Sequence, residues 1–289
     1  MSLYPSFARP NSLAQASELL AGLSGGSVII AGGQEIMPHI NHGAMQPDIY
    51  IDIGGLKELR GISEADGVVS IGALTVHREL QGNAIVAEKL PMLADAASRA
   101  GGGRQVHNRA TLGGNLVAMH PLYDIAPALL ALGAEVELVK AGETRRTSLA
   151  ALMHETSHGL GSEAILVRVL VPAMAAGTGW AYEKLKLSGG AYGSANAAAT
   201  VQLDAGRITA ATLTIGAVAD RIIDAAAAVQ GLIGQAWTAA AAEQLELRCP
   251  ALVKQPLSDQ QGSGEWRQAM AGVVARRAMA AAVARAGQK

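Results

Sequence analysis

Two glycine-bearing stretches constrain this chain more than any other feature. Val28–Pro38 reads VIIAGGQEIMP: a short β-branched run ends in two glycines, then a polar pair, then a fresh apolar run. About eighty residues later Asn108–Asn115 reads NRATLGGN. A strand that feeds a Gly-Gly turn exposes several backbone N–H groups, and without Cβ atoms a ligand can approach the main chain closely. Clustered N–H groups form a nest suited to phosphate. Two strand-to-glycine junctions therefore predict two backbone surfaces closing on one anionic ligand. Ala31-Gly32-Gly33-Gln34-Glu35 is neither G-x-G-x-x-G nor a P-loop, so Rossmann and NTPase readings lose support, and a plain tight turn stays open as its reading. Thr111-Leu112-Gly113-Gly114-Asn115 adds a hydroxyl and an amide. Asp124, nine residues beyond Asn115, starts a predicted helix. It can accept hydrogen bonds from ribose hydroxyls or cap that helix, and spacing alone favours capping.

With 289 residues the chain has room for one large domain or two to three small ones. Half of it is apolar, but aromatics make up only 3%, so the core must be built largely from alanine and aliphatic side chains. Net charge is -1, with no basic stripe or acidic tail to hold nucleic acid. The opening MSLYPSFARPNS lacks an apolar signal core, and no apolar run reaches the ~18 residues of a membrane span. A soluble, cytoplasmic protein is expected. The single cysteine, Cys249, excludes an internal disulfide, a cysteine-ligated zinc site and an iron–sulfur cluster held by this chain alone, which takes about four thiolates. Between Arg248 and Pro250 it reads as an inert thiol at a helix end.

Asn11–Leu23 has helical periodicity, with Asn11 or Ser12 as cap. Gly25-Gly26 leads into a strand over Ser27–Ile30, and Asp48–Ile53 alternates as a second strand. Gly67–Thr75, Glu135–Lys140 and Ile165–Val171 are further strands; Ala84–Arg99, with Pro91 as an early helical residue, and Tyr123–Leu132 are helical. Pro172–Gly179 is the clearest domain boundary. Beyond it, Trp180–Leu187, Ser194–Leu203 and Ile208–Val218 read as an antiparallel meander, followed by alanine-rich helices. The last, Glu265–Ala286, is predicted to place Trp266, Met270, Val273 and Val274 on one face, with Arg277 on the same stripe.

No catalytic constellation stands out. His154–His158, HETSH, matches H-E-x-x-H formally, which would make Glu155 the general base of a zinc site. Gly159 and Gly161 flank it and no third ligand is evident, so an exposed loop is the favoured reading. Ser188–Gly193, SGGAYG, is not a nucleophile elbow.

AGGQEIMP followed by NRATLGGN and then Asp124 resembles the FAD-binding medium subunit of the molybdenum hydroxylases. That group contains carbon monoxide dehydrogenase, bacterial xanthine dehydrogenases, and aldehyde and N-heterocycle dehydrogenases. The resemblance covers nearly the whole chain, including FARPNSLAQASELL, IGALT and VRVLVP. It implies an α+β protein: the two-lobed FAD-binding fold of the vanillyl-alcohol-oxidase (PCMH) type, plus a C-terminal domain of antiparallel sheet and helices. Lobes over 1–55 and 56–176 would hold FAD between them, and 177–289 would cover the flavin. By motif position, Ile29, Ile30, Ala31, Gly32, Gly33, Gln34, Glu35 and Ile36 would wrap the pyrophosphate. Thr111, Leu112, Gly113, Gly114 and Asn115 would bind it from the other lobe. Asp124 falls at a ribose or pyrophosphate contact, which reverses the preference for capping. Val167 is placed at a backbone contact to the flavin or adenine, and Lys184, in the pattern Tyr182–Lys184, near the isoalloxazine. Tyr192 is a weaker match for the flavin edge. Many family members carry His or acidic residues between Asn115 and Asp124, and Arg and Asp after the Y-x-K strand. Here Ala118, His120, Ser188, Gly189 and Gly190 stand in those regions.

The implied function is an electron-transfer subunit with no catalytic residue and no metal ligand of its own. Substrate would be oxidised at a molybdopterin cofactor in a large partner subunit. Electrons would pass through [2Fe–2S] centres of a small partner to FAD, then to NAD, oxygen or another acceptor. The expected assembly is a dimer of heterotrimers. The alternatives are a stand-alone FAD-dependent oxidase or reductase of the same fold, and a non-catalytic scaffold subunit.

Overall fold

The computed structural model describes residues 5–23, 26–156, 160 and 163–288. The chain divides into two compact units. One holds the described residues up to Ile85 with Arg104–Met119 and Ala134–Pro172; the other holds Val86–Gly103, His120–Gly133 and the residues from Ala173 on.

The first unit contains two sheets. In the smaller, β1 (Ser6–Ala8), β2 (Ser27–Ile30) and β3 (Ile49–Asp52) are parallel, in the order β1-β3-β2. The Leu13–Ala21 helix begins where Ser12 Oγ accepts the Gln15 N–H at 3.1 Å, so Ser12 and not Asn11 is the cap. That helix buries Ala16 and Leu20 in one cluster with Ile51, Ile53 and Val167. The larger sheet is antiparallel, ordered β4-β5-β8-β6-β7: β4 (Ile62–Ala65), β5 (Val68–Gly72), β6 (Glu135–Lys140), β7 (Glu143–Ser148) and β8 (Ile165–Pro172). Asp66-Gly67 and Ala141-Gly142, all four at positive φ, close the two tight hairpins. The register between β6 and β8 slips at Glu137/Leu138, leaving Val167 as the extra residue of a β-bulge.

The second unit is built on an antiparallel sheet, β12-β11-β10-β9, of β9 (Gly179–Leu185), β10 (Ala195–Asp204), β11 (Arg207–Gly216) and β12 (Ile223–Asp224). Both faces are covered, and the period of two along a strand sorts the residues between them. Ala181, Ala197, Ala199 and Val201 face the Gly264–Ala286 helix. Tyr182 and Ala198 face Met92 and Ala96 of the Pro91–Arg99 helix and Ala128 and Ala131 of the Ile125–Ala131 helix. The small residues permit close contact: an ideal Cβ on Gly179 would stand 1.9 Å from the Ala282 carbonyl oxygen.

This packing corrects the expected face of the last helix. Trp266 is 39% exposed and Arg277 is exposed, while the buried side carries Arg267, Ala271, Val274, Ala275, Ala278, Met279 and Ala282. Of the expected stripe, Val274 is buried and Met270 packs against the core; alanines at helical spacing, with Arg267 and Met279, make up the rest of the buried side.

Candidate functional site

The first unit brings the two glycine stretches together. β2 ends at Ile30, and the chain turns through Ala31–Glu35 into the Ile36–Asn41 helix. Gly33 turns at φ 77°, a conformation that favours glycine. Gly32 is required for space: its ideal Cβ would lie 2.0 Å from the Arg109 carbonyl oxygen. Among the described residues no acceptor receives the N–H groups of Ala31, Gly32, Gly33 or Gln34. The loop therefore presents a run of unclaimed donors, the chemistry of an anion nest. Glu35 Oε1 lies 3.2 Å from His39 Nε2, one turn on.

The second stretch differs from the expected strand-to-glycine junction. Thr111 caps a helix over Leu112–Ala118, its Oγ1 accepting the Gly114 N–H at 3.1 Å, so both glycines lie in a helical first turn. The amides there are taken: Leu112 N–H donates to Thr75, Gly113 to Ala73 and Asn115 to Thr111. Gly113 sits against Ala73, with its ideal Cβ 2.7 Å from the Ala73 Cβ. Ala73 in turn donates to the Val167 carbonyl at 2.9 Å, so Val167, Ala73 and Gly113 form one hydrogen-bonded line. Leu112 and Val167 are core side chains and can present only backbone. Asn115 Oδ1 is buried and has no partner among the described residues, an orphan acceptor beside the cap.

The second unit holds Asp124 and Lys184. Asp124 heads the Ile125–Ala131 helix, yet its side chain makes no capping bond. Tyr182 Oη donates to its Oδ1 at 2.6 Å and Lys184 Nζ to its Oδ2 at 2.9 Å. Lys184 also donates to the Arg99 carbonyl at 2.9 Å. Tyr182 and Lys184 are two apart on β9 and so share a face. Y-x-K was the visible trace of this triad, but its carboxylate lies 58 residues from Tyr182. The pair is fully internal, with side chains 1% and 2% exposed. Burial pushes the Asp124 carboxyl up, against the pull of Lys184, and pushes the Lys184 ammonium down. Burial, with the adjacent carboxylate, also raises the Tyr182 phenol. His120 and Tyr123 stack at 4.8 Å, and Tyr192 lies 5.8 Å from His120.

The HETSH segment gives no metal centre among the described residues. Glu155 pairs with Arg145 at the end of the Leu149–Glu155 helix, and His158 lies outside the described residues. Cys249 is buried, and desolvation pushes its thiol up to about 12, an unreactive state.

Residues 4–174 match the FAD binding domain in molybdopterin dehydrogenase, and residues 180–282 the CO dehydrogenase flavoprotein C-terminal domain. The chain is 34% identical over 279 residues to the carbon monoxide dehydrogenase medium chain of Hydrogenophaga pseudoflava, covering 96% of each. It is 27% identical to the caffeine dehydrogenase subunit beta of a Pseudomonas species, covering 96% of this chain and 95% of that one. Among solved structures, carbon monoxide dehydrogenase from Hydrogenophaga pseudoflava superposes with a TM-score of 0.93 at 33% identity, and quinoline 2-oxidoreductase from Pseudomonas putida 86 with 0.90 at 28%, each covering 99% of both chains. The unclaimed amides of Ala31–Gln34 and the orphan Asn115 carbonyl fit a cofactor with a pyrophosphate and hydroxyl groups. The chain belongs to the family of FAD-binding medium subunits of the molybdenum hydroxylases.

Proposed function

We propose that this chain is the FAD-carrying electron-transfer subunit of a molybdenum-containing dehydrogenase, receiving electrons from [2Fe–2S] centres in a small partner and passing them to NAD, oxygen or another acceptor. The observation that carries the reading is the set of unclaimed N–H groups at Ala31–Gln34 in the same unit as the Thr111 cap. Ile29–Ile36, Thr111–Asn115, Val167, Asp124 and Lys184 are the residues that would bind FAD. FAD supplies the redox chemistry when bound; the chain supplies position and electrostatics. The relatives are named for carbon monoxide, caffeine, nicotine and glyceraldehyde, yet each matches along 96% of this chain. A common medium chain with differing substrates supports placing substrate oxidation in a large molybdopterin-binding partner, and the assembly as a dimer of heterotrimers. The division 1–55, 56–176 and 177–289 is proposed as the domain organisation, since each of the three sheets falls inside one segment.

The test is copurification of the tagged full chain with a visible spectrum. Flavin absorbance, FAD released by acid, and two companion chains carrying molybdenum and iron are expected. A lone, active, flavin-loaded chain would favour the stand-alone oxidase. A companion-bound chain without flavin would favour the scaffold.

A further inference from the structure

Arg78, Gln81 and Gly82 of the His77–Gly82 helix face Arg104, His107 and Asn108 of the Gly103–His107 helix and its exit across a cavity of about 340 Å³ in the first unit. Its two charged side chains are both guanidinium groups. Among the described residues no carboxylate pairs with Arg78 or Arg104. The neighbouring acid, Glu79, is turned to its own helix start, where it accepts the Val76 N–H at 2.9 Å. Gln81 Nε2 lies 3.0 Å from His107 Nδ1. With the amide nitrogen as donor, Nδ1 accepts. Arginines without partners in a concave site are what an oxyanion needs, because each planar fork can give two parallel hydrogen bonds.

We propose that this cavity binds a phosphate group, either inorganic phosphate or the head of a small phosphomonoester. Its volume lies at the small end of the roughly 300–1,000 Å³ of ligand sites, which suits a phosphate with a short organic tail and not a dinucleotide. None of the residues assigned to FAD lines it, so the site goes beyond the flavin reading and stands or falls separately from it.

The experiment titrates the FAD-loaded full chain with inorganic phosphate, then with glycerol 3-phosphate, at ionic strength held constant with potassium chloride, by calorimetry. Using flavin-loaded protein keeps the pyrophosphate cradle filled. Saturable binding of one equivalent is expected. Arg78→Gln and Arg104→Gln should each weaken it about tenfold, the loss of a charge-assisted bond. Arg277→Gln, on an exposed position of the last helix, should leave it unchanged. Melting temperature and flavin content should stay constant in all three. Tighter binding of glycerol 3-phosphate assigns a phosphomonoester, and equal or weaker binding assigns free phosphate. No saturable binding by about 10 mM of either probe, or binding indifferent to both arginine substitutions, overturns the proposal.

Discussion

The Arg109 carbonyl oxygen occupies the space where a side chain on Gly32 would begin, 2.0 Å from its ideal Cβ. The loop after β2 and the segment before the Thr111 cap thus meet through bare backbone. Gly32 has an ordinary φ, so space and not backbone conformation is what requires glycine there. Gly32→Ala must push the Arg109–Ala110 backbone away, at a cost of about 3 kcal/mol. It should lower the melting temperature and the FAD retained per chain, read by absorbance after acid release. Gly55→Ala is the matched control: its Cβ would meet nothing within 4 Å, and both quantities should hold. Equal behaviour of the two variants would refute the contact's importance.

The Asp124–Lys184 pair makes a double-mutant prediction. Lys184→Met leaves a buried carboxylate facing only Tyr182 and backbone, and Asp124→Asn leaves a buried ammonium without its anion; each should cost about 3–5 kcal/mol. The double variant replaces two buried charges at once and should regain part of that loss. Tyr182→Phe removes one hydrogen bond to the carboxylate and should cost about 2 kcal/mol. Urea unfolding of the wild type, the two single charge variants and the double variant measures the coupling. Strictly additive losses would show that the pair does not act as a unit.

His77 supplies a pH dependence. It is 2% exposed, and neither ring nitrogen has a partner among the described residues. Burial, assisted by nearby His107, lowers its pKa from 6.5 to about 4. Between those values the unfolded chain binds a proton that the native chain refuses, so stability must fall as pH drops from 6.5 to about 4. The loss accumulates to about 3 kcal/mol at the acid end. His77→Leu gives up no hydrogen bond and removes this component of the slope. Melting temperatures from pH 4 to 7 should therefore converge toward a smaller acid loss in the variant; parallel curves would contradict the assignment.

What could be read from the residues follows from how locally each feature is encoded. Glu135–Lys140 and Ile165–Pro172 were legible because buried strands need β-branched runs. Glu143–Ser148, ETRRTS, was missed because an exposed edge strand carries no apolar alternation, although Ala141-Gly142 marked its hairpin. The glycines of TLGGN suggest a strand-to-glycine junction, yet Thr111 is a helix cap and Gly113 is small because it presses on Ala73. The motif positions of the candidate site came from the family resemblance. The Asp124–Tyr182–Lys184 triad and Arg267 depend on partners far away in sequence, beyond the reach of periodicity.

Arg267 carries the last prediction. It is 0% exposed, and its guanidinium ties the Gly264–Ala286 helix to the carbonyl of Ser194 at 3.0 Å, to the carbonyl of Ala217, and to the carboxylate of Asp259. Ser194 directly precedes β10 and Ala217 directly follows β11, so one side chain satisfies acceptors at the ends of two strands. Arg267→Met leaves those carbonyls without a donor and should cost about 3–5 kcal/mol, the range for removing one partner of a buried charged network. Arg267→Lys keeps the charge but replaces a fork by a single point, so it should fall between that variant and wild type. Asp259 is about one-third exposed, and water can solvate what Asp259→Asn disturbs, so this substitution should be the mildest. Urea midpoints of the FAD-loaded chain should thus rank wild type, Asp259→Asn, Arg267→Lys, Arg267→Met. If Arg267→Met proved no worse than Asp259→Asn, the ion pair alone would account for the burial of Arg267, and the carbonyl ties would contribute nothing measurable.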